Sequence, residues 1–249
     1  YRQHGNSLST DQQTLLKTRG DIKAKQVKKR GLEPLTVLAI VPTRGNYIDP
    51  RSRPLKKLGS KALIDYTIEA ALESELISDI IVTTPDEKTI EHVIQIYGNK
   101  ILTILRQEKL ARVNKSIEAT AREALKKYKV NHPNPEVVLF LYLEYPFRSK
   151  LYIDKAINTF QLHDVDIVNG VISDDDIFYV HTGHGLEPWQ NSRKMRLERD
   201  ELYRSAGGIQ LMKTSFLDND SRISKSKIGH IILDQRAAFA VRSEFDWAL

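Results

Sequence analysis

The sequence has no cysteine and no long apolar run. Without cysteine the chain cannot form disulfides, thiolate metal sites or cysteine nucleophiles, and this composition fits a reducing cytosol. No apolar run approaches the ~18 residues that a membrane span requires. Residues 1–30 are polar and basic and contain no apolar segment of the kind found in signal peptides. These absences predict a cytoplasmic globular protein.

The 249-residue chain has a formal charge of +6, and this excess arises at the N-terminus, where acidic residues are scarce. Residues 1–31 hold eight of the 38 basic and two of the 32 acidic residues, so the remainder carries 30 of each sign. A basic stretch of this kind is usually a solvated face or a disordered arm. Nucleic-acid binding through this tail stays open as a minor alternative.

Residues 1–34 are predicted to form a basic extension that precedes the main domain. Ser9 or Thr10 is placed to cap a helix that runs to about Lys29, and the chain then breaks between residues 31 and 34. The extension is interpreted either as a linker or as an arm that binds a partner.

From residue 35 to residue 249, short apolar runs alternate with segments of helical periodicity. The runs are TVLAIVP, DIIVTT, KILTIL, EVVLFLYL and VDIVNGVI. Continuous apolar runs of this length are typical of strands that are buried on both faces. The alternation predicts an α/β fold with a doubly wound, mainly parallel, Rossmann-like sheet.

The alternation fails at about residues 174–204. The stretch SDDDIFYVHTGHGLEPW is predicted to form a hairpin, inserted as a small subdomain or an oligomer contact. GGIQLMKTSFL then predicts a return to the sheet, HIILDQRAAFAV predicts one or two more strands, and SEFDWAL begins a helix.

The loop after the first strand, VPTRGNYIDPRSRPLKKLGSK, is strongly basic. It carries six cationic side chains, which are Arg44, Arg51, Arg53, Lys56, Lys57 and Lys61. In doubly wound sheets, ligands bind at the carboxyl ends of the strands, so this loop is a candidate nucleotide cradle. The spacings of the Walker loop and of the dinucleotide fingerprint are both absent. A solvated basic loop is the alternative interpretation.

Individual residues of this loop suit phosphate. Arg44 follows directly on the strand, so the sheet fixes its position, and Gly45 permits close approach of the backbone. Arg51, Arg53 and Lys56 would neutralise a triphosphate, since an arginine side chain can bind two phosphate oxygens at once.

With these residues in view, the chain resembles the acylneuraminate cytidylyltransferase family over about residues 36–249. The stretch PTRGNYIDPRSRPLKKLGSKAL lies without a gap against the family motif P-A-R-G-G-S-K-G-I-P-x-K-N-L-x-P-L-G-G-K-P-L. The matching positions are Pro42, Arg44, Gly45, Leu55, Lys56, Leu58, Gly59, Lys61 and Leu63. RQEKLA, YPFRS, GLEPW and RDELYRSAGGIQL resemble further family segments.

The resemblance implies transfer of CMP from CTP to a nonulosonic or related sugar acid, with Mg²⁺ as cofactor and a homodimer as the assembly. It assigns Arg44 and Arg53 to catalysis, with Arg53 replacing a family lysine. Nucleotide contacts are implied for Arg44, Gly45, Asn46, Arg53, Lys56, Thr83 and Thr84. Contacts with the sugar acid, or support for them, are implied for Tyr142, Arg148 and Tyr203.

The sequence departs from the family pattern at several of its functional positions. Ile48, Pro54 and Pro85 stand where the family has lysine, asparagine and aspartate. Ala240 and Arg242 stand where the family has the aspartate pair that holds its metal ion, and arginine repels Mg²⁺.

Two accounts of these departures are open. In the first, the protein is an active enzyme with a rebuilt site. Arg242 would then offset phosphate charge, or Asp234, Glu244 or Asp246 would hold a displaced metal ion. In the second, the fold persists in a catalytically inactive homologue that acts as a nucleotide-binding, scaffolding or regulatory subunit.

Overall fold

The computed structural model describes residues 12–112, 116–174, 176–189, 201–217 and 226–249. The strands are β1 (Val37–Pro42), β2 (Lys57–Leu58), β3 (Lys61–Ala62), β4 (Asp79–Thr84), β5 (Leu102–Leu105), β6 (Val137–Leu141), β7 (Ile167–Asp174), β8 (Tyr179–His181), β9 (Leu186–Pro188), β10 (Leu202–Lys213) and β11 (Ile228–Ile232). The α-helices are α1 (Gln12–Lys29), α2 (Leu63–Leu72), α3 (Glu87–Tyr97), α4 (Glu108–Ala111), α5 (Ile117–Tyr128), α6 (Lys150–His163) and α7 (Glu244–Ala248).

Seven strands form the central sheet in the order β11-β7-β10-β6-β1-β4-β5. All neighbouring strands pair in parallel except at β10, which is antiparallel to both β6 and β7. The chain proceeds from β1 outward to β5 and then returns to the other side of β1 with β6. The strand order therefore reverses between β1 and β6, and the predicted doubly wound, mainly parallel sheet is confirmed.

Both faces of the sheet are buried, as the apolar runs indicate. Along β1, Val37, Ala39 and Val41 join one hydrophobic core, while Leu38 and Ile40 join a second core on the opposite face. Helices α2 and α6 contribute side chains to the first core, and α5 contributes to the second. This two-sided burial explains why the strand shows no alternation of polar and apolar residues.

After β11 the chain turns instead of forming another strand. The carboxylate of Asp234 accepts a hydrogen bond from the Ala237 backbone nitrogen at 2.7 Å, which closes a tight turn. Helix α7 follows, and Ser243 caps it by accepting a hydrogen bond from the Asp246 backbone nitrogen at 3.2 Å.

The predicted hairpin is present as the antiparallel pair β8 and β9, separate from the central sheet. Its apolar side chains are largely exposed, among them Tyr179, Val180, Leu186 and Trp189. Residue 175 and residues 190–200 of the proposed insertion lie outside the described residues. The homodimer expected from this segment stays a prediction.

Helix α1 of the N-terminal segment packs on α6. The Lys23 ammonium group donates to the hydroxyl of Thr159, and the Arg30 guanidinium donates to the Leu162 carbonyl oxygen at 2.9 Å. Leu16 packs against the first core. The capping residues expected for this helix, Ser9 and Thr10, lie outside the described residues. Among the helices that the structure describes, none has the length and hydropathy needed to cross a membrane.

A buried carboxylate joins α2 to α3. Asp65 accepts hydrogen bonds from the Ala62 backbone nitrogen at 3.1 Å and from the Tyr97 hydroxyl at 3.0 Å, and it lies 2.9 Å from Nε2 of His92. Replacing it by alanine leaves these partners without their acceptor.

We expect Asp65→Ala to lower the free energy of unfolding by about 2–3 kcal/mol, because one buried and two half-buried groups lose their hydrogen-bond partner. Glu69→Ala is the matched control, since Glu69 is a carboxylate on the same helix that forms a surface ion pair with Lys61. It should cost no more than about 1 kcal/mol. Urea denaturation of both variants measures the difference. Equal losses would contradict the structural role of Asp65.

Candidate functional site

A cleft of about 670 Å³ opens beside the carboxyl ends of β1, β5 and β6. It therefore lies where the strand order reverses, the usual ligand position in open α/β sheets. Its lining comprises Pro42, Thr43, Arg44, Asp49, Arg51, Ser52, Arg106, Leu110, Ser116, Ile117, Thr120, Tyr142, Glu144, Tyr145, Asn169, Ser205, Gly208, Ile209, Gln210 and Arg242.

The charged side chains of the cleft are mainly arginines. Four arginines from three parts of the chain line it, and they are Arg44 and Arg51 of the loop after β1, Arg106 after β5, and Arg242. The described lining residues include two carboxylates, Asp49 and Glu144. The excess of positive charge and the arginine side chains suit a multiply charged anion with planar or tetrahedral oxygen groups.

Asp49 organises the loop after β1. Its oxygens each lie 3.2 Å from an arginine nitrogen, one from Nη1 of Arg44 and the other from Nε of Arg51. Burial alone would raise the pKa of Asp49, but the hydrogen bonds from Arg51 and Arg44 outweigh it and hold that pKa below its ordinary value. Asp49 therefore stays ionised near neutral pH and orients both guanidinium groups.

Gly45 allows this loop to close against α3. Its φ is +76°, and a Cβ at this position would lie 2.8 Å from Cβ of Asp86. Any other residue would be strained here and would also clash with Asp86. The glycine is thus required by the shape of the loop that carries Arg44.

Arg106 is the most deeply buried cation of the cleft, with 4% of its surface exposed. It donates to the Thr43 carbonyl oxygen at 2.8 Å and to the Thr120 hydroxyl at 3.1 Å, while its Nε has no hydrogen-bond partner in the described part of the chain. Burial lowers the pKa of Arg106 to about 10, with Glu123 opposing the shift and the charge of Arg44 adding to it. A bound anion would stabilise this buried charge.

The residues after β6 form the opposite wall. Burial, reinforced by Glu118 and Glu144, raises the pKa of Tyr142 to about 12, so its hydroxyl remains protonated and can donate a hydrogen bond. The hydroxyl of Tyr145 accepts a hydrogen bond from Nη2 of Arg242 at 2.8 Å. This wall combines two tyrosine hydroxyls, one carboxylate and one guanidinium.

Arg148 lies beneath this wall and does not line the cleft. Its guanidinium donates to the carbonyl oxygens of Tyr142, Gly207 and Gly208 at 3.2, 2.9 and 3.0 Å, and to the Thr67 hydroxyl at 3.2 Å. Both glycines have positive φ and lie where the pairing of β10 with β7 shifts register. Burial lowers the pKa of Arg148 to about 10. Arg148 thus holds the irregular segment of β10 against the end of β6.

Two cations expected at the triphosphate lie outside the cleft. The Arg53 guanidinium forms an ion pair with Glu244 of α7. Lys56 also pairs with Glu244, at 3.4 Å, and its ammonium group lies 4.3 Å from the ring centroid of Trp247. Glu244, the first residue of α7, therefore neutralises Arg53 and Lys56 of the basic loop.

The remaining residues expected from the resemblance are dispersed. Thr83 and Thr84 are buried at the end of β4, and Asn46 is exposed on the loop. Tyr203 is 41% exposed, its ring contacts that of His230 at a tilt with centroids 5.0 Å apart, and its hydroxyl donates to Glu201. None of these four lines the cleft. Of the residues expected to contact the nucleotide or the sugar acid, Arg44 and Tyr142 line the cleft.

The residues at the expected metal site do not fit Mg²⁺. Ala240 offers no side-chain oxygen, and Arg242 is a cation where the family has aspartate. Within the described ranges, no group of three histidine, aspartate or glutamate side chains is arranged to hold a metal ion.

Sequence reasoning did not assign Arg106 or Glu144 to the site. A usable signal exists for both, because each comes shortly after a strand of the sheet, as Arg44 does two residues after β1. Arg106 directly follows β5, and Glu144 comes three residues after the end of β6. The carboxyl ends of parallel strands meet at one edge of the sheet, so charged residues at these positions converge.

Comparison with known proteins identifies the family of the chain. A model of the cytidylyltransferase family matches residues 38–210, which is more than half of the chain. The chain therefore belongs to the cytidylyltransferase family, and the resemblance to acylneuraminate cytidylyltransferases is confirmed at this level.

Individual relatives are distant. The N-acylneuraminate cytidylyltransferase of Escherichia coli O18:K1:H7 is 34% identical over 125 residues, which are 50% of this chain and 28% of that protein's length. The post-translational flagellin modification protein B of Campylobacter coli is 25% identical and matches over 86% of this chain and 92% of its own. The 4-diphosphocytidyl-2C-methyl-D-erythritol synthase of Anaerococcus prevotii superposes with a TM-score of 0.64 at 15% identity, covering 86% and 94% of the two chains.

The buried position of Arg148 yields a prediction about stability. We expect Arg148→Met to lower the free energy of unfolding by about 3 kcal/mol, because three carbonyl oxygens lose a charged donor. Arg44→Met, a partly exposed cation that lines the cleft, should cost about 1 kcal/mol or less. Urea denaturation measures both. A stable Arg148→Met protein that has lost only ligand affinity would show that Arg148 binds the ligand instead.

Proposed function

We propose that the protein transfers CMP from CTP to a nonulosonic or related sugar acid. The observation that supports this most strongly is the four-arginine cleft at the strand reversal of a cytidylyltransferase-family chain. Both substrates are anions, and each would be attracted by the excess positive charge of the cleft. The E. coli relative named N-acylneuraminate cytidylyltransferase supports a sugar acid as the acceptor.

The reaction that we propose is a displacement at phosphorus. A hydroxyl oxygen of the sugar acid forms a bond with the α-phosphorus of CTP. The bond from that phosphorus to the oxygen bridging the α- and β-phosphates breaks, and pyrophosphate leaves. Arg44, Arg51 and Arg106 would neutralise the charge that develops on the phosphate oxygens, which is the main catalytic requirement of such transfers.

Glu144 is the proposed acceptor of the hydroxyl proton. It is a half-buried carboxylate of the cleft. The other cleft carboxylate, Asp49, already accepts hydrogen bonds from Arg44 and Arg51. Tyr142, whose hydroxyl stays protonated, would donate a hydrogen bond to the sugar acid on the same wall.

A nucleotide-binding, scaffolding or regulatory subunit without catalysis is the second candidate. The presence of Ala240 and Arg242 at the family's metal positions favours it. The two candidates share the arginine cleft and differ in turnover, so binding of CTP alone does not separate them. Nucleic-acid binding through the basic tail gains no support, since Lys23 of α1 and Arg30, the residue after that helix, donate hydrogen bonds to α6.

Pyrophosphate release from CTP with a panel of nonulosonic and 3-deoxy sugar acids tests the proposal. We expect release with at least one acid, and Glu144→Gln should lower its rate by about 10²- to 10⁴-fold, because the proton acceptor is lost while the shape is kept. Binding of CTP to this variant, measured by calorimetry, should be nearly unchanged.

Arg204→Ala is the matched control for this assay. Arg204 is exposed on β10, pairs with Asp174 and lies outside the cleft, so its loss should leave the rate unchanged. No pyrophosphate with any acid, combined with tight CTP binding, would reject the enzyme and support the regulatory subunit.

A further inference from the structure

We infer that the cleft binds the polyphosphate of its nucleotide through arginine side chains without a divalent cation, with Arg242 supplying charge where the family pattern has a metal ligand. This inference rests on the proposed nucleotide substrate. It concerns how the phosphates are neutralised and makes no use of the sugar acid.

Arg242 is held in the cleft from several sides. Its backbone nitrogen donates to the Asp246 carboxylate at 2.9 Å, and its Nη2 donates to the Tyr145 hydroxyl at 2.8 Å. Its Cζ lies 5.4 Å from the ring centroid of Tyr145, which adds a cation–π contact. The preceding residue, Val241, donates its backbone N–H to the Glu144 carbonyl oxygen at 2.7 Å. The guanidinium is therefore a positioned group of the site.

The carboxylates near the C-terminus that would be candidates for a displaced metal ion are engaged elsewhere. Asp234 closes the turn after β11 by accepting from Ala237. Asp246 accepts from the backbone nitrogens of Arg242 and Ser243 and so caps α7. Glu244 pairs with Arg53 and Lys56. None of these three carboxylates lines the cleft.

The carboxylates inside the cleft are also a poor set of metal ligands. Asp49 is shared between Arg44 and Arg51, which leaves Glu144 as the one described lining carboxylate without an arginine partner. A Mg²⁺ ion here would be close to several guanidinium groups with a single protein carboxylate to offset them, and hard cations favour sites rich in oxygen ligands.

Arginine can replace the electrostatic role of a metal ion on a polyphosphate. A guanidinium is permanently charged, and its planar array of N–H donors matches pairs of phosphate oxygens. In the cleft, Arg44 and Arg51 are already oriented by Asp49, and Arg106 is fixed by Thr43 and Thr120. These groups need little rearrangement to receive the ligand, which favours binding.

Isothermal titration of CTP and of inorganic tripolyphosphate, in EDTA and in Mg²⁺, tests the inference. We expect both ligands to bind in EDTA, with dissociation constants within about threefold of those in Mg²⁺. Arg242→Ala should weaken both by about ten- to a hundredfold, the value of a charged hydrogen bond. Arg204→Ala is the control and should bind like the wild type. Thermal melting confirms that each variant is folded.

A reciprocal variant strengthens the test. The double variant A240D/R242D restores the carboxylate pair of the family pattern. We expect its CTP affinity to be lost in EDTA and recovered in Mg²⁺, so that the metal dependence is reversed relative to the wild type.

The outcomes separate this inference from the proposed function. Tripolyphosphate binding that survives EDTA and needs Arg242, with CTP no tighter than other nucleoside triphosphates, supports the arginine cleft and rejects the cytidine substrate. CTP binding that requires Mg²⁺ and is unaffected by Arg242→Ala overturns the inference while leaving cytidylyl transfer intact. Loss of the Mg²⁺-dependent binding in Glu144→Gln would then identify Glu144 as the metal ligand.

Discussion

The concentration of positive charge in one cleft is the physical constraint on which the site depends. Arg44, Arg51, Arg106 and Arg242 share one cleft with two carboxylates, and the pKa of Arg106 is lowered by burial and by the charge of Arg44. A fold tolerates such a concentration of charge only when each group is held by specific partners. Here those partners are Asp49, the carbonyl of Thr43, and the hydroxyls of Thr120 and Tyr145. The arrangement is poised to receive an anion.

The scaffold beneath the cleft combines regular and irregular elements. Parallel strands β1, β5 and β6 end at one edge of the sheet and deliver Arg44, Arg106 and Glu144 to it. The antiparallel strand β10 adds further residues to the lining, and its register shift contains Gly207 and Gly208, whose carbonyl oxygens accept hydrogen bonds from Arg148. Arg148 therefore contributes to the site through the backbone that it holds in place, which makes it a positioning residue.

Much of the fold could be predicted from the sequence, because two-sided burial leaves continuous apolar runs at β1, β4 and β6. The position of Arg44 could also be predicted, since it comes two residues after the end of a buried strand. The ion pairs of Arg53 and Lys56 could not be predicted, because their partner Glu244 lies 188 residues beyond Lys56 in the chain. The hydrogen bond from Arg242 to Tyr145 likewise joins residues that are 97 positions apart in the sequence. Local patterns do not encode such contacts.

A crystal structure of the protein with CTP tests the central claim most directly. The account predicts that the triphosphate lies in the cleft, with its oxygens within hydrogen-bonding distance of the guanidinium groups of Arg44, Arg51, Arg106 and Arg242. It also predicts that Glu244 keeps its ion pairs with Arg53 and Lys56. A triphosphate bound to Arg53 and Lys56, with Glu244 displaced and the four arginines free of phosphate, would contradict it.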